Sequence, residues 1–199
     1  LGVWPAGFDN DGIMYCNTAF GDYPHYLPAG ESDHLRSRFT AWMLLNYNKP
    51  VQVSSTLGNY AANNAVDENI KTYWSAKTAN KGEWVQTDLG AVSTVNAVQI
   101  NYADQDAEFL GKQTGIFHQY ILSYSTDGKT WKPLVDKKNN RTDVPHDYIE
   151  LDKPVKARFL KLENIHMPTG KFAISGFRVF GKGDSKLPEM VKDFFVLRT

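Results

Sequence analysis

Between Val51 and Phe180 the apolar residues return at every second position or so, in short runs rich in Val, Ile, Tyr, Phe and Trp. Alternation of that kind turns one side of a run inward and the other to water, so it predicts half-buried strands and not helices. The runs are residues 51–55, 72–76, 83–89, 92–102, 117–125, 131–136, 147–151, 155–164 and 172–180, and only residues 60–66 read as a short helical turn. Asp127-Gly128 supplies the left-handed backbone that a tight hairpin needs, while Gly90 and Asp152-Lys153-Pro154 mark the ends of other runs. About eight or nine strands, with no helical stretch long enough for a parallel crossover, predict an all-β, antiparallel sandwich or barrel.

If the run 51–55 leads away from the chain ends, counting strands gathers five connections at the opposite pole. They are residues 56–62, 77–82, 104–115, 137–146 and 165–170. Outside the strand region the pattern changes. Residues 28–38 are polar and turn-rich, 39–47 are apolar enough to pack against something, 182–186 read as a linker, and 188–199 alternate like one more strand. The expected organisation is 1–48 as the tail of an upstream domain plus linker, 49–182 as the sandwich, and 183–199 as a linker entering a further module.

Composition narrows the function. With 22 Lys+Arg against 22 Asp+Glu the chain has no global field to draw it onto phosphate backbones or anionic membranes. The single cysteine, Cys16, excludes an internal disulfide framework and a multi-cysteine zinc site. The longest apolar stretch, residues 41–45, is far too short to cross a bilayer, and any export signal would lie upstream of Leu1. The aromatic content of 13% suits a β-sandwich whose rings serve both the core and a binding surface.

Several strings, read in order, carry a resemblance. Residues 64–75 (NAVDENIKTYWS), 83–90 (EWVQTDLG), 124–131 (YSTDGKTW), 157–162 (ARFLKL) and 177–181 (FRVFG) resemble the successive motifs of the discoidin, or coagulation factor V/VIII C-type, domain. Among bacterial members the chain is most similar to family 32 carbohydrate-binding modules. The resemblance implies a galactose-binding-like jelly-roll sandwich with no catalysis of its own. It would hold a secreted bacterial glycoside hydrolase on its glycan, a plant cell-wall oligosaccharide. Residues 3–28, with a hairpin turn at 8–12, resemble the last blade of a family 43 glycoside hydrolase propeller, which would make the parent an enzyme of the xylosidase or arabinofuranosidase kind. Residues 188–198 resemble the first strand of a fibronectin type III module.

The family often wraps a calcium ion in its Asp-containing loop. The matching donors are the carbonyl of Asn64, the Asp67 carboxylate, the carbonyl of Asn69, the carbonyl and hydroxyl of Thr72, and Ser175 on the closing strand. Gly176 stands where the family places a Glu ligand. Calcium takes six or more oxygens, and losing one of two carboxylates weakens the site. Two readings stand side by side: a weakened calcium site, or Asp67 closing a turn by accepting backbone N–H bonds.

A sugar site needs an apolar surface for the C–H patch of a pyranose and polar groups for its hydroxyls. The pole loops offer Asn59, Tyr60, Asp104, Gln105, Phe109, Asn140, Arg141 and His146. Phe109 also suits an anchor for its own loop, and Trp74, Trp84 and Trp131 sit inside strand motifs as core residues. His118 and His166 carry no evident chemistry. Asp104, Asp106 and Glu108 form an acidic group better read as solvated than as catalytic, since nothing nearby would raise one of their pKa values. Three functions fit: a carbohydrate-binding module, a ligand-free spacer, and a protein- or membrane-binding discoidin domain.

Overall fold

The computed structural model describes residues 6–8, 12–16, 23–26, 40–108 and 115–185. Its strands are β1 (Ala6–Phe8), β2 (Met14–Cys16), β3 (Met43–Leu44), β4 (Val51–Val53), β5 (Trp74–Ser75), β6 (Trp84–Tyr102), β7 (Gln119–Ser125), β8 (Lys132–Asp136), β9 (His146–His166) and β10 (Ala173–Lys182). A single turn of 3-10 helix, Ala62–Ala65, falls within the expected helical turn. Every pairing is antiparallel. The order is β3-β10-β6-β9-β7-β8, with β4 also on β6 and β5 also on β10.

Two expected pairs of strands are each one long strand. Runs 83–89 and 92–102 fuse into β6, and runs 147–151 and 155–164 fuse into β9, straight through Asp152-Lys153-Pro154. Gly90, at φ 84°, bends the chain without ending it. The β6–β9 register slips between Asp88 and Ser93 and again between Val95 and Ala97. Bulges of this kind sharpen twist and let one sheet fold over itself. On one side of the bend the long pair is flanked by β4 and by β7, which carries β8 on its far edge, and on the other by β10.

The inner faces of the two halves meet in one core. Val85, Leu89, Leu122, Leu160 and Leu162 come from one half and Val98, Ile100, Phe177 and Val179 from the other, all fully buried. Trp74 lies edge-on to Phe172 at 5.5 Å and donates its indole N–H to the Ser55 carbonyl at 3.1 Å. Trp84 and Trp131, expected in the core, are instead half-buried on the outside. The period of two explains Trp84: with Val85, Thr87 and Leu89 inward, residue 84 must face out. Trp131 precedes the edge strand β8 and carries the Lys161 ammonium over its ring at 4.9 Å.

The described part of the apolar stretch, residues 40–47, finds its partner in β10. Phe180 pairs with Leu44 and Gly181 with Met43. Asn46 donates to the Phe177 carbonyl at 2.6 Å and accepts from the Val179 N–H at 3.0 Å. Tyr23, Trp42, Leu44, Ala97 and Phe180 then form a second, smaller apolar cluster. The hairpin expected at 8–12 corresponds to the β1–β2 pair, of whose turn Gly12 is described, at φ 74°. Residues 28–38 and 188–199, expected as a polar connection and a further strand, lie outside the described residues. No helix among the described residues is long and apolar enough to cross a membrane.

Candidate functional site

Tyr102 ends β6, His118 immediately precedes β7, His146 opens β9 and His166 closes it, so their connections converge. Backbone bonds lock them together: Tyr102 N–H to the Pro145 carbonyl at 2.9 Å, Ala103 N–H to Ala173 at 3.0 Å and Lys171 N–H to Gln105 at 3.0 Å. Glu108 N–H adds a bond to the Thr169 hydroxyl at 3.1 Å. Gly170, at φ 69°, permits the closest approach: a Cβ there would lie 2.5 Å from the Gln105 carbonyl oxygen. Between these segments opens a cleft of about 520 Å³. Its apolar surface is Ile116, Pro145, Met167 and Pro168, and its polar surface is Asp104, Glu108, His118, Asp143, His146 and Thr169.

His118 is the most constrained of these. Only 5% exposed, its ring lies against Tyr102 with centroids 4.4 Å apart. Burial holds its pKa below the ordinary value and prevails over the pull of Asp143, so the ring is neutral at pH 7. Nδ1 accepts the Val144 N–H at 3.3 Å, which leaves the proton on Nε2. Asp143 Oδ1, also 3.3 Å from Nδ1, becomes a partner only when the ring takes a second proton. His146 is the reverse case: Nδ1 meets Asn101 Oδ1 at 3.1 Å, so Nδ1 carries its proton and Nε2 accepts. The cleft therefore presents one imidazole donor and one imidazole acceptor.

The expected sugar residues divide into groups. Asp104 and His146 line the cleft. Tyr60 stacks on Tyr73 at 4.7 Å, and the Tyr73 hydroxyl donates to Gln105 Oε1 at 2.7 Å, forming a polar aromatic ledge outside the cleft lining. The neighbouring Tyr60 hydroxyl and burial push the Tyr73 hydroxyl up to about 12. Asn59 is exposed, and its carbonyl accepts the Ala61 N–H. Asn140 is spent on its own loop: its amide donates to the His118 and Thr142 carbonyls and its oxygen accepts from Thr142. Arg141 lies over Phe117 at 4.9 Å, and Phe117 in turn against His166 at 4.5 Å. Phe109 lies outside the described residues. Sequence reasoning passed over His118, Asp143 and Met167; the usable signal was a histidine at the mouth of a strand that feeds two converging loops.

The loop considered for calcium satisfies itself. Asp67 accepts from Asn69 N–H at 2.9 Å and from the Thr72 hydroxyl at 2.7 Å. Thr72 also lies 3.0 Å from the Asn69 carbonyl, and Asn64 donates to the Tyr73 carbonyl. Ser175 donates toward the Asn101 and Tyr102 carbonyls, each at 3.3 Å. The adjacent Glu68 is held by the Arg178 guanidinium at 2.8 and 3.0 Å. A Cβ on Gly176 would lie 2.8 Å from the Asn101 amide. Among the described residues no three His, Cys, Asp or Glu side chains group to hold a metal ion. One carboxylate, already engaged by two donors, is a poor match for a cation that takes six or more oxygens.

The family model for the F5/8 type C domain matches residues 50–179. Similar solved structures include the chitosan-binding module 2 of a Paenibacillus sp. IK-5 chitosanase/glucanase, in complex with chitotriose: 22% identity, TM-score 0.58, covering 69% of this chain and 99% of that one. The family 32 module of Clostridium perfringens NanJ, in complex with galactose, aligns at 17% identity and TM-score 0.56, covering 70% and 98%. The family 32 module of AlyQ, in complex with 4,5-unsaturated mannuronic acid, aligns at 18% identity and TM-score 0.52, covering 69% and 98%. No curated protein sequence matches the chain. The matched residues leave out 3–28, so the propeller-blade likeness gains nothing from them. Fold, motif order and family match agree, and the chain belongs to the F5/8 type C, or discoidin, domain family.

Proposed function

We propose that the sandwich is a non-catalytic carbohydrate-binding module that seats a sugar in the cleft between residues 102–108, 143–146 and 167–169. The observation that carries this reading is the lining itself. Ile116, Met167 and Pro168 offer an apolar surface for pyranose C–H groups, while His118 and His146 offer a donor and an acceptor for hydroxyls. Solved neighbours of the same fold hold sugars, which supports the assignment. In this proposal the module tethers a linked glycoside hydrolase of the family 43 kind to plant cell-wall glycan, outside a bacterial cell. The loop 64–72 has a structural role, closed by its own hydrogen bonds and not by calcium.

A shallow, solvent-open site with few hydrogen bonds predicts weak binding, with a Kd of roughly 0.1 to 1 mM. The test is a glycan array followed by calorimetry on the hits, with the variant His118→Ala alongside. Binding is expected to fall about tenfold or more in the variant, because its Nε2–H donor is lost. Silence across the array would favour the ligand-free spacer, and hits unaffected by the variant would move the site elsewhere.

A further inference from the structure

His146 belongs to two hollows at once. Besides the cleft, it lines a neighbouring groove of about 350 Å³, together with Asn69, Ile70, Asn101, Ser175 and Gly176. Strand register explains the placement. His146 on β9 pairs with Asn101 on β6, and Asn101 with Gly176 on β10, so the three stand in one row across the sheet, on the face turned away from the buried Ile100 and Phe177. Two strand spacings carry that row about 10 Å from His146, at the cleft, to Gly176.

Gly176 shapes the floor. A Cβ there would lie 2.8 Å from the Asn101 amide nitrogen, and the three atoms nearest to it all belong to Asn101. With no side chain in the way, that amide lies against β10. Its oxygen is engaged, meeting His146 Nδ1 at 3.1 Å and the Gln99 amide at 3.4 Å. Its nitrogen meets no acceptor among the described residues and is not sealed from solvent. A half-buried donor without a partner favours a ligand that brings an oxygen. The charged groups in the described lining hold each other: Glu68 accepts from Arg178 at 2.8 and 3.0 Å, and Arg178 also donates to Gln99 at 3.0 Å. Ile70, 95% exposed, adds an apolar wall. An open amide donor beside an apolar wall, with the bordering charges matched, suits an uncharged unit rich in hydroxyls.

We propose that the groove is a second subsite, in which a neutral glycan seated in the cleft continues past the His146 ring and its next unit sets an oxygen on the Asn101 amide. This rests on the cleft being the sugar site. It makes the module a reader of chain length, one that favours linked units of a plant cell-wall chain over a free monosaccharide.

The test is calorimetry with galactose, xylose and their β-linked trisaccharides, on wild type, Gly176→Ala and Ile70→Ser. In the series that binds, the trisaccharide is expected to be about tenfold tighter than the monosaccharide, beyond the roughly threefold that three equivalent units give by counting alone. Gly176→Ala drives the Asn101 amide off its seat and should return the trisaccharide to that counting level. Ile70→Ser, at an exposed position, should weaken the trisaccharide about threefold and leave the monosaccharide unchanged. In amide NMR spectra of wild type, the Asn101 side-chain signal should move more with the trisaccharide than with the monosaccharide, a readout that holds even if Gly176→Ala does not fold. A trisaccharide no tighter than counting allows, or an Asn101 signal that ignores it, would overturn the second subsite and leave a module for a single sugar unit. Silence in both series would end both readings.

Discussion

The loop 64–72 and the cleft beside it are built from the same kinds of residue and do opposite things with them. In the loop, Asp67, Asn69, Thr72 and Asn64 spend their polar atoms on one another and on nearby backbone. In the cleft, His118 and three carboxylates keep atoms in reserve. Internal pairing converts polar groups into local stiffness, whereas leftover pairing capacity is what a ligand can use. Residue type separates neither case; the partner does.

The largest effect expected from breaking this contrast is at Gly170. Gly170→Ala forces a left-handed backbone position to carry a Cβ that collides with the Gln105 carbonyl. Residues 104–108 should lift off 169–171, costing about 2–3 kcal/mol and abolishing sugar binding. Thermal denaturation and calorimetry check it, and retained binding would show that the cleft does not depend on this approach. Next is Asp67→Ala, which frees the Asn69 N–H and Thr72 hydroxyl and should cost about 1–2 kcal/mol with sugar affinity unchanged. Wild-type Tm should be unmoved by calcium or by a chelator; a large calcium-dependent rise would place an ion in the loop.

The smallest effect is the pH response of His118. Burial lowers its folded pKa, so the folded protein binds this proton less readily than the unfolded chain does. Its contribution to stability is therefore present above the unfolded value near 6.5 and declines as pH falls through the lower folded value. Comparing Tm between pH 7.5 and 5 for wild type and His118→Asn should show a steeper loss in wild type. Equal slopes would mean that the ring titrates like an exposed one.

The fold was largely legible because alternation, turn residues and five ordered motifs all point to one sandwich. What stayed hidden was tertiary. Asp152-Lys153-Pro154 looks like a strand end, yet it lies within β9, because the ladder with β6 resumes on both sides of the bend. The run 39–47 gave no alternating signal, and only β10 makes a strand of Met43–Leu44. At the site, the converging loops could be counted, but their claims on one another could not. Asn140 looks like a sugar ligand until His118 and Thr142 are seen to occupy it. His118 looks inert until the fold sets it against Tyr102 at the cleft.

The short ladder between β3 and β10 also decides how the protein meets mechanical load. Chain entry and exit are clipped side by side, Leu44 to Phe180 and Met43 to Gly181. Tension drawn through these two segments would therefore unzip the two-residue ladder pair by pair, starting from Met43 and Gly181. The cleft sits by the opposite end of β10, about 25 Å away at the usual rise per residue. A grip on an anchored polymer could thus outlast the first yielding of its own tether.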